Sequence, residues 1–268
     1  MRRWLFGLSC LAAAALWQPA LPRAQTTGAP PEEVDVALVL AVDVSYSMDL
    51  DELALQRNGY IEAFRSKQLH DAINNGALGK IAVTYFEWAG GQFQHVVRPW
   101  KVIDGAASAI AFAEELGEAP TRRGRRTSIS GAIDLGVQLL EQSNVTAMRR
   151  VIDISGDGAN NDGRPVTAAR DEAGAKGIAI NGLPVMLKQA GYFDIDNLDA
   201  YYTACVITGL GAFVIPIREK SQFVEATKTK LLREIAEAPA DATFHRAQAN
   251  NPAACLAGEQ QWRDRMGN

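Results

Sequence analysis

Short apolar runs alternate along the chain with longer segments of helical periodicity. Val34 to Val42 is an almost continuous apolar run, which predicts a strand buried on both faces. Residues 48–69 carry apolar side chains among charged ones, a pattern typical of an amphipathic helix. Residues 80–88 and 93–102 flank a glycine pair and predict a β-hairpin.

The later part of the chain repeats this alternation of strands and helices. Helices are expected at residues 106–117, 129–142, 166–176, 198–208 and 221–237, and strands at 150–155, 178–186 and 212–217. Strands that alternate with helices indicate a doubly wound, mostly parallel sheet with helices on both faces. The predicted fold class is therefore α/β.

The ends of the sequence differ from this central pattern. Residues 1–24 combine two arginines, an apolar run and small residues, which predicts a secretory signal peptide cleaved near Ala24 and a periplasmic or secreted protein. No later stretch approaches the roughly 20 apolar residues that a membrane-spanning helix needs. We expect a linker at 25–33, one domain at 34–237, and an irregular tail at 238–268 that packs on the domain.

Charge and cysteine content narrow the functional classes. Without residues 1–24 the net charge changes from -4 to -7, and an acidic chain is a poor candidate for nucleic-acid binding. Cys205 and Cys255 remain in the processed chain. In an oxidising compartment the pair is interpreted first as a disulfide that ties the tail to the domain, and two free buried thiols are the alternative.

Oxygen-bearing side chains follow the predicted strands, where ligands bind in an open parallel sheet. They are Asp43, Ser45 and Ser47 after the first strand, Thr127 before the helix at 129–142, and Asp157 between two glycines that would allow a sharp turn. Carboxylates and hydroxyls, without cysteine or histidine, suit a hard cation. The pattern predicts one divalent cation, Mg²⁺ first and Mn²⁺ or Ca²⁺ as alternatives.

The segment Asp43-Val44-Ser45-Tyr46-Ser47, Thr127 and the turn Gly156-Asp157-Gly158 resemble the metal-ion-dependent adhesion site (MIDAS) of von Willebrand factor type A (vWA) domains. The resemblance covers roughly residues 34–237 and is nearest to bacterial exported vWA-like proteins of uncharacterised function. It implies that Ser45 and Ser47 coordinate the cation directly and that Thr127 does so when a ligand is engaged. Asp43 and Asp157 would bind directly or through water. An open coordination position would capture a Glu or Asp of a partner protein, without catalysis.

Two other interpretations of the same residues remain. Residues 156–162 (GDGANND) resemble the metal motif of haloacid dehalogenase-type phosphatases, in which Asp43 would be the nucleophile. That motif is one residue too long here. Ser45 also stands where the phosphatases have the aspartate that serves as general acid, and a serine hydroxyl cannot act as that acid near neutral pH. In the third interpretation the cluster only caps helices, because Asp and Ser favour helix starts.

Several further side chains are candidates for the rim of the site. Arg125 and Arg126 end an arginine-rich stretch immediately before Thr127 and could attract an acidic ligand, although a charge run is often only a solvated loop. Glu87 and Trp88 end the strand at 80–88 near the same face. Trp88 is equally compatible with core packing.

Overall fold

Five strands form the central sheet: β1 (Glu32–Asp43), β2 (Ile81–Trp88), β3 (Gln94–Ile103), β4 (Val145–Gly156) and β5 (Ile178–Pro184). Their order is β3-β2-β1-β4-β5, with β3 antiparallel to β2 and the other neighbours parallel. This is a computed structural model, which describes residues 30–188, 195–236, 244–245 and 252–266. The predicted signal peptide and most of the predicted linker lie outside these ranges.

The central strand β1 is buried from Val34 to Asp43, as its apolar run predicts. Its side chains alternate between two cores because successive residues of a strand point to opposite faces. Val39 and Ala41 enter one core, whereas Leu38 and Leu40 enter the other. Helices therefore have to cover both faces of the sheet.

Eight α-helices surround or adjoin the sheet in the described part of the chain: α1 (Leu50–Arg65), α2 (Lys67–Asn74), α3 (Ala106–Gly117), α4 (Ile129–Gln142), α5 (Val166–Ala175), α6 (Leu198–Tyr201), α7 (Phe223–Ile235) and α8 (Ala257–Met266). Helices α1, α3 and α7 pack on one face. Helices α4 and α5 pack on the other. The predicted doubly wound α/β fold is confirmed.

Two predicted elements are interrupted in the structure. The helix expected at 48–69 is divided between α1 and α2 at Ser66. The Ser66 hydroxyl donates to the carbonyl of Ala63 (2.7 Å) and accepts from the amide of Leu69 (3.3 Å), so it ends one helix and caps the next. The helix expected at 198–208 is α6 followed by a π-helical turn, Tyr202–Val206.

The final predicted strand and the tail also differ from expectation. Residues 212–217 make only isolated bridges to β5 and the residue after it, through Val214 and Ile217. The tail, expected to be irregular, contains α8 and a two-residue strand β7 (Phe244–His245) that pairs with β6 (Gly209–Leu210).

Cys205 and Cys255 form a disulfide, with their Cα atoms 5.5 Å apart. The structure thus agrees with the first of the two interpretations of this pair. Cys205 lies in the π-helical turn and Cys255 lies directly before α8. None of the described helices is long and apolar enough to cross a membrane.

Candidate metal centre

The candidate centre lies where β1 and β4 end side by side in the middle of the sheet. Val42 of β1 is level with Ser155 of β4, so the two following loops start from the same edge. The chain leaves β1 for one face of the sheet and reaches β4 from the other, which makes this edge a topological switch point. Ligand sites of open α/β sheets form at such points.

Asp43 occupies the base of this crevice and is completely buried. One carboxylate oxygen, Oδ1, accepts a hydrogen bond from the amide of Ser45 at 2.7 Å. The other, Oδ2, is buried and has no hydrogen-bond partner among the described residues. An unpaired buried carboxylate oxygen is energetically costly and is the natural place for a positively charged ligand.

Gly156 is required because Asp43 approaches it closely. A Cβ atom on Gly156 would lie 2.9 Å from Asp43 Oδ2, closer than real Cβ contacts allow. Neither Gly156 nor Gly158 has a positive φ. The chain does bend at Asp157 and Gly158, where the sequence predicts a turn, but close approach to Asp43 rather than a positive φ explains Gly156.

The two serines connect Asp43 to Asp157. Ser45 Oγ and Ser47 Oγ are 2.8 Å apart, within hydrogen-bond distance. Ser47 Oγ also donates to Asp157 Oδ1 at 2.6 Å. Four of the five predicted donors thus form one hydrogen-bonded cluster, although they come from segments more than a hundred residues apart.

Thr127, the fifth predicted donor, is buried and joins the same edge through its backbone. Its amide donates to Asn161 Oδ1 (2.9 Å), and its carbonyl accepts from the amide of Asn161 (2.8 Å). The preceding residue, Arg126, has a φ of 67°, the only positive φ of a non-glycine residue in the described part. This conformation is uncommon outside glycine and often marks functional loops.

The charge of the cluster is unbalanced without a cation. Burial raises the pKa of Asp43 well above its ordinary value, and the nearby negative charge of Asp157 raises it further, against hydrogen bonds from Ser45 and from the backbone of Asp157. The described residues contain no group of three or more His, Cys, Asp or Glu arranged for a metal. The candidate centre therefore consists of two carboxylates and three hydroxyls, a donor set that fits a hard divalent cation.

The predicted rim residues divide into exposed and buried pairs. Arg125 and Arg126 are exposed beside the centre, and Arg126 pairs with Asp162 at 2.7 Å. Glu87 and Trp88, by contrast, are only 1% and 0% exposed. Because neither can reach a partner's surface, they are core residues and their assignment to the rim is wrong.

Lys188 is a neighbour of the centre that the sequence pattern did not single out. Its ammonium group donates to the carbonyl of Ser47 and pairs with Glu52 at 2.7 Å. With Arg218 these residues line a cleft of about 370 Å³ that also reaches Ser47 and Asp157. In the sequence, Lys188 could have been recognised only by its position, because it follows the strand predicted at 178–186, which ends at this edge of the sheet.

Residues 33–239 match the family described as "Protein of unknown function (DUF1194)". The chain belongs to the DUF1194 family. None of the curated proteins matches it.

Solved structures place this DUF1194 chain in the vWA fold. It aligns with a von Willebrand factor type A protein from Catenulispora acidiphila at 15% identity and a TM-score of 0.51, over 76% of this chain and 43% of that one. It also aligns with proximal thread matrix protein 1 of the mussel byssus, in a structure with a zinc-occupied MIDAS motif. The identity is 13% and the TM-score 0.53, over 76% of this chain and 49% of that one. It aligns with the pilus adhesin SpaC of Lactobacillus rhamnosus GG at 11% identity and a TM-score of 0.53, over 75% of this chain and 31% of that one. The DUF1194 chain thus spans less than half the length of each, and at these identities the likeness concerns the fold.

Proposed function

We propose that this DUF1194 chain is an exported protein-binding module of the adhesion type, in which one divalent cation captures a Glu or Asp of a partner protein. Mg²⁺ is the cation we expect, with Mn²⁺ or Ca²⁺ as alternatives. The proposed ligands are the five clustered donors Asp43, Ser45, Ser47, Thr127 and Asp157. The proposal includes no catalytic step.

The observation that carries the proposal is the unpaired, fully buried Oδ2 atom of Asp43. Folding removes this oxygen from water, and Gly156 leaves no side chain to cover it. A buried charge without compensation is strongly destabilising, so such a site persists where a ligand supplies the opposite charge.

Each donor has a part in this arrangement. The amide of Ser45 fixes one oxygen of Asp43, while the other oxygen is buried beside Gly156. The ammonium group of Lys188 donates to the carbonyl of Ser47, while the Ser47 hydroxyl donates to Asp157. A bound divalent cation would supply an electrophilic position for a carboxylate oxygen of the partner. Arg125 and Arg126 would attract that acidic group from solution.

The comparisons support the proposal through two neighbours of the same fold. One, the mussel thread protein, has a zinc-occupied MIDAS motif, and another is a pilus adhesin. Export is supported by the signal-peptide pattern of residues 1–24. N-terminal sequencing of the protein from an envelope fraction would test cleavage near Ala24.

Isothermal titration calorimetry with Mg²⁺ and Mn²⁺ tests the metal site. The wild type should bind one cation, and Asp43→Asn should weaken binding at least tenfold because it removes the buried negative charge while keeping the shape. Asp71→Asn is the matched control, since Asp71 is an exposed carboxylate on α2 paired with Lys67. The absence of binding by wild type at millimolar metal, or equal affinity in Asp43→Asn, would contradict the proposal. A metal-dependent pulldown from the cell envelope would then identify the partner.

A further inference from the structure

Helix α8 packs against both loops that carry the later donors of the metal centre. A covalent anchor stands directly before it, because Cys255 is bonded to Cys205 in the core. From this anchor the helix crosses the loop that follows Asp157 and reaches the residue that precedes Thr127. Two described contacts fix the helix there, one to Asn160 and one to Arg126.

The first contact joins the start of α8 to Asn160. A Cβ atom on Gly258 would lie 2.2 Å from the carbonyl oxygen of Asn160, so only glycine permits this approach. Glu259 accepts a hydrogen bond from the Asn160 side chain at 2.8 Å. The oxygen of the same side chain accepts from the amide of Ser130, in the first turn of α4 (2.9 Å). Asn160 therefore couples α8 to the loop that begins at Asp157.

The second contact joins the middle of α8 to Arg126. The guanidinium of Arg126 lies over the ring of Trp262, 4.5 Å from its centroid, and pairs with Asp162 at 2.7 Å. Such stacking of a cation on an aromatic face is attractive. Because Arg126 has a φ of 67°, the stacked and paired side chain holds an unfavourable backbone conformation in place. The next residue, Thr127, lines the cleft that Ser47 and Asp157 also line.

Between α8 and the metal centre lies a cleft of about 170 Å³. Its lining includes the donors Ser47, Thr127 and Asp157 on one side and Gly258, Gln261 and Trp262 of α8 on the other. A ligand that approaches the donors from this side meets α8. The helix is thus a wall of the centre as well as a support for its loops.

We propose that α8 is a positioning element of the metal centre: Trp262, through Arg126, and Glu259, through Asn160, hold Thr127 and Asp157 in the arrangement that binds the cation. This inference rests on the proposed function, because it concerns affinity for the same cation. Residues that orient metal ligands from behind affect affinity by roughly 10- to 100-fold when removed.

The test measures Mn²⁺ affinity by calorimetry, with Mn²⁺ alone as the probe. Trp262→Ala should weaken binding about tenfold, whereas Trp262→Phe, which keeps an aromatic face for Arg126, should stay within about threefold of wild type. Arg263→Ala is the control, because Arg263 is an exposed neighbour on the same helix. Circular dichroism establishes that each variant is folded.

A double-mutant cycle separates positioning from general stability. If Trp262 acts through Arg126, Trp262→Ala should have little further effect on Mn²⁺ affinity in the Arg126→Ala background, whereas independent effects would add. Additive losses, or wild-type affinity in Trp262→Ala, would overturn the inference while the proposed function stood. No Mn²⁺ binding by wild type would instead refute the proposed function. Should Trp262→Ala not fold, Glu259→Ala, which removes the acceptor for Asn160, and Arg126→Ala carry the same comparison, and unchanged affinity in both would overturn the inference.

Discussion

At the scale of single residues, a second buried group of charged side chains lies in the core away from the candidate metal centre. Lys230 is fully buried and pairs with both Asp153 (2.5 Å) and Glu234. The Tyr60 hydroxyl donates to Asp153 Oδ2 at 3.4 Å, and the Asn181 side-chain amide donates to Glu234 Oε1 at 3.1 Å. One cation thus faces two acids, so the group carries excess negative charge when both acids are ionised.

This imbalance predicts a pH-dependent stability. Burial, followed by the charge of Asp153, raises the pKa of Glu234 from 4.5 to about 7 in the folded protein, although Lys230 opposes the rise. The folded state therefore holds the proton more tightly than the unfolded state, and the free energy of unfolding should fall as pH rises from about 4.5 through 7. Glu234→Gln should reduce this fall by an amount on the order of 1 to 3 kcal/mol.

Urea unfolding at pH 5, 6, 7 and 8 measures the effect. Glu225→Gln is the matched control on the same helix, because Glu225 is exposed and pairs only at the surface with Lys228. Parallel stability curves for wild type and Glu234→Gln would show that Glu234 is not the titrating group.

The sequence brings out the candidate metal donors better than the residues that pack around them, for a physical reason. Asp43, Ser45 and Asp157 follow predicted strands, and the ends of parallel strands share one edge whatever the details of packing. Trp262 and Lys188 reach that edge only through contacts between distant segments. No local periodicity encodes such contacts, so these two residues could be found only in the folded chain.

At the scale of elements, the core helices and strands follow from periodicity, whereas their interruptions follow from single side chains. Ser66 divides a continuous helical pattern because its hydroxyl serves both helix ends. Six of the ten residues of α8 are polar or charged, and Trp262 is its one aromatic residue. A helix without an apolar stripe gives no periodic signal, and tertiary contacts decide its conformation.

The contact between α4 and β4 gives a prediction at this scale. Gly136 lies in the middle of α4, and a Cβ atom there would be 2.8 Å from Ile152 Cδ1 and 3.2 Å from two other carbons of Ile152. Gly136→Val should therefore force the helix and strand apart and lower the free energy of unfolding by roughly 1 to 3 kcal/mol. Gln138→Val, exposed on the same helix, should change it by less than about 0.5 kcal/mol. Equal stability of the two variants would mean that Ile152 moves aside without cost.

At the scale of the whole molecule, one sheet edge is compatible with two classes of function, capture and phosphoryl transfer. They differ in what the protein must do after a ligand has bound. A phosphatase needs a proton donor near its nucleophile. Here the hydroxyl of Ser45 stands in that place and is within hydrogen-bond distance of Ser47.

The purified chain with Mg²⁺ should therefore leave a generic phosphate ester such as p-nitrophenyl phosphate intact. Release of nitrophenolate, followed at 405 nm over hours at neutral pH, provides the measurement. Turnover that disappears in Asp43→Asn would favour the phosphatase. Turnover that persists in Asp43→Asn would indicate a contaminating enzyme.

The position of α8 in the chain has a consequence for how the protein is made. Asp43 belongs to the first described strand, while α8 is the last described element to leave the ribosome. The contact of Trp262 with Arg126 joins residues 136 positions apart, so it costs loop-closure entropy and cannot form before the last described helix is present. A chain whose Cys205 and Cys255 are still reduced would hence have all five candidate oxygen donors before α8 is fixed beside them, and oxidation of the two cysteines would mark the moment at which the proposed centre becomes competent to bind.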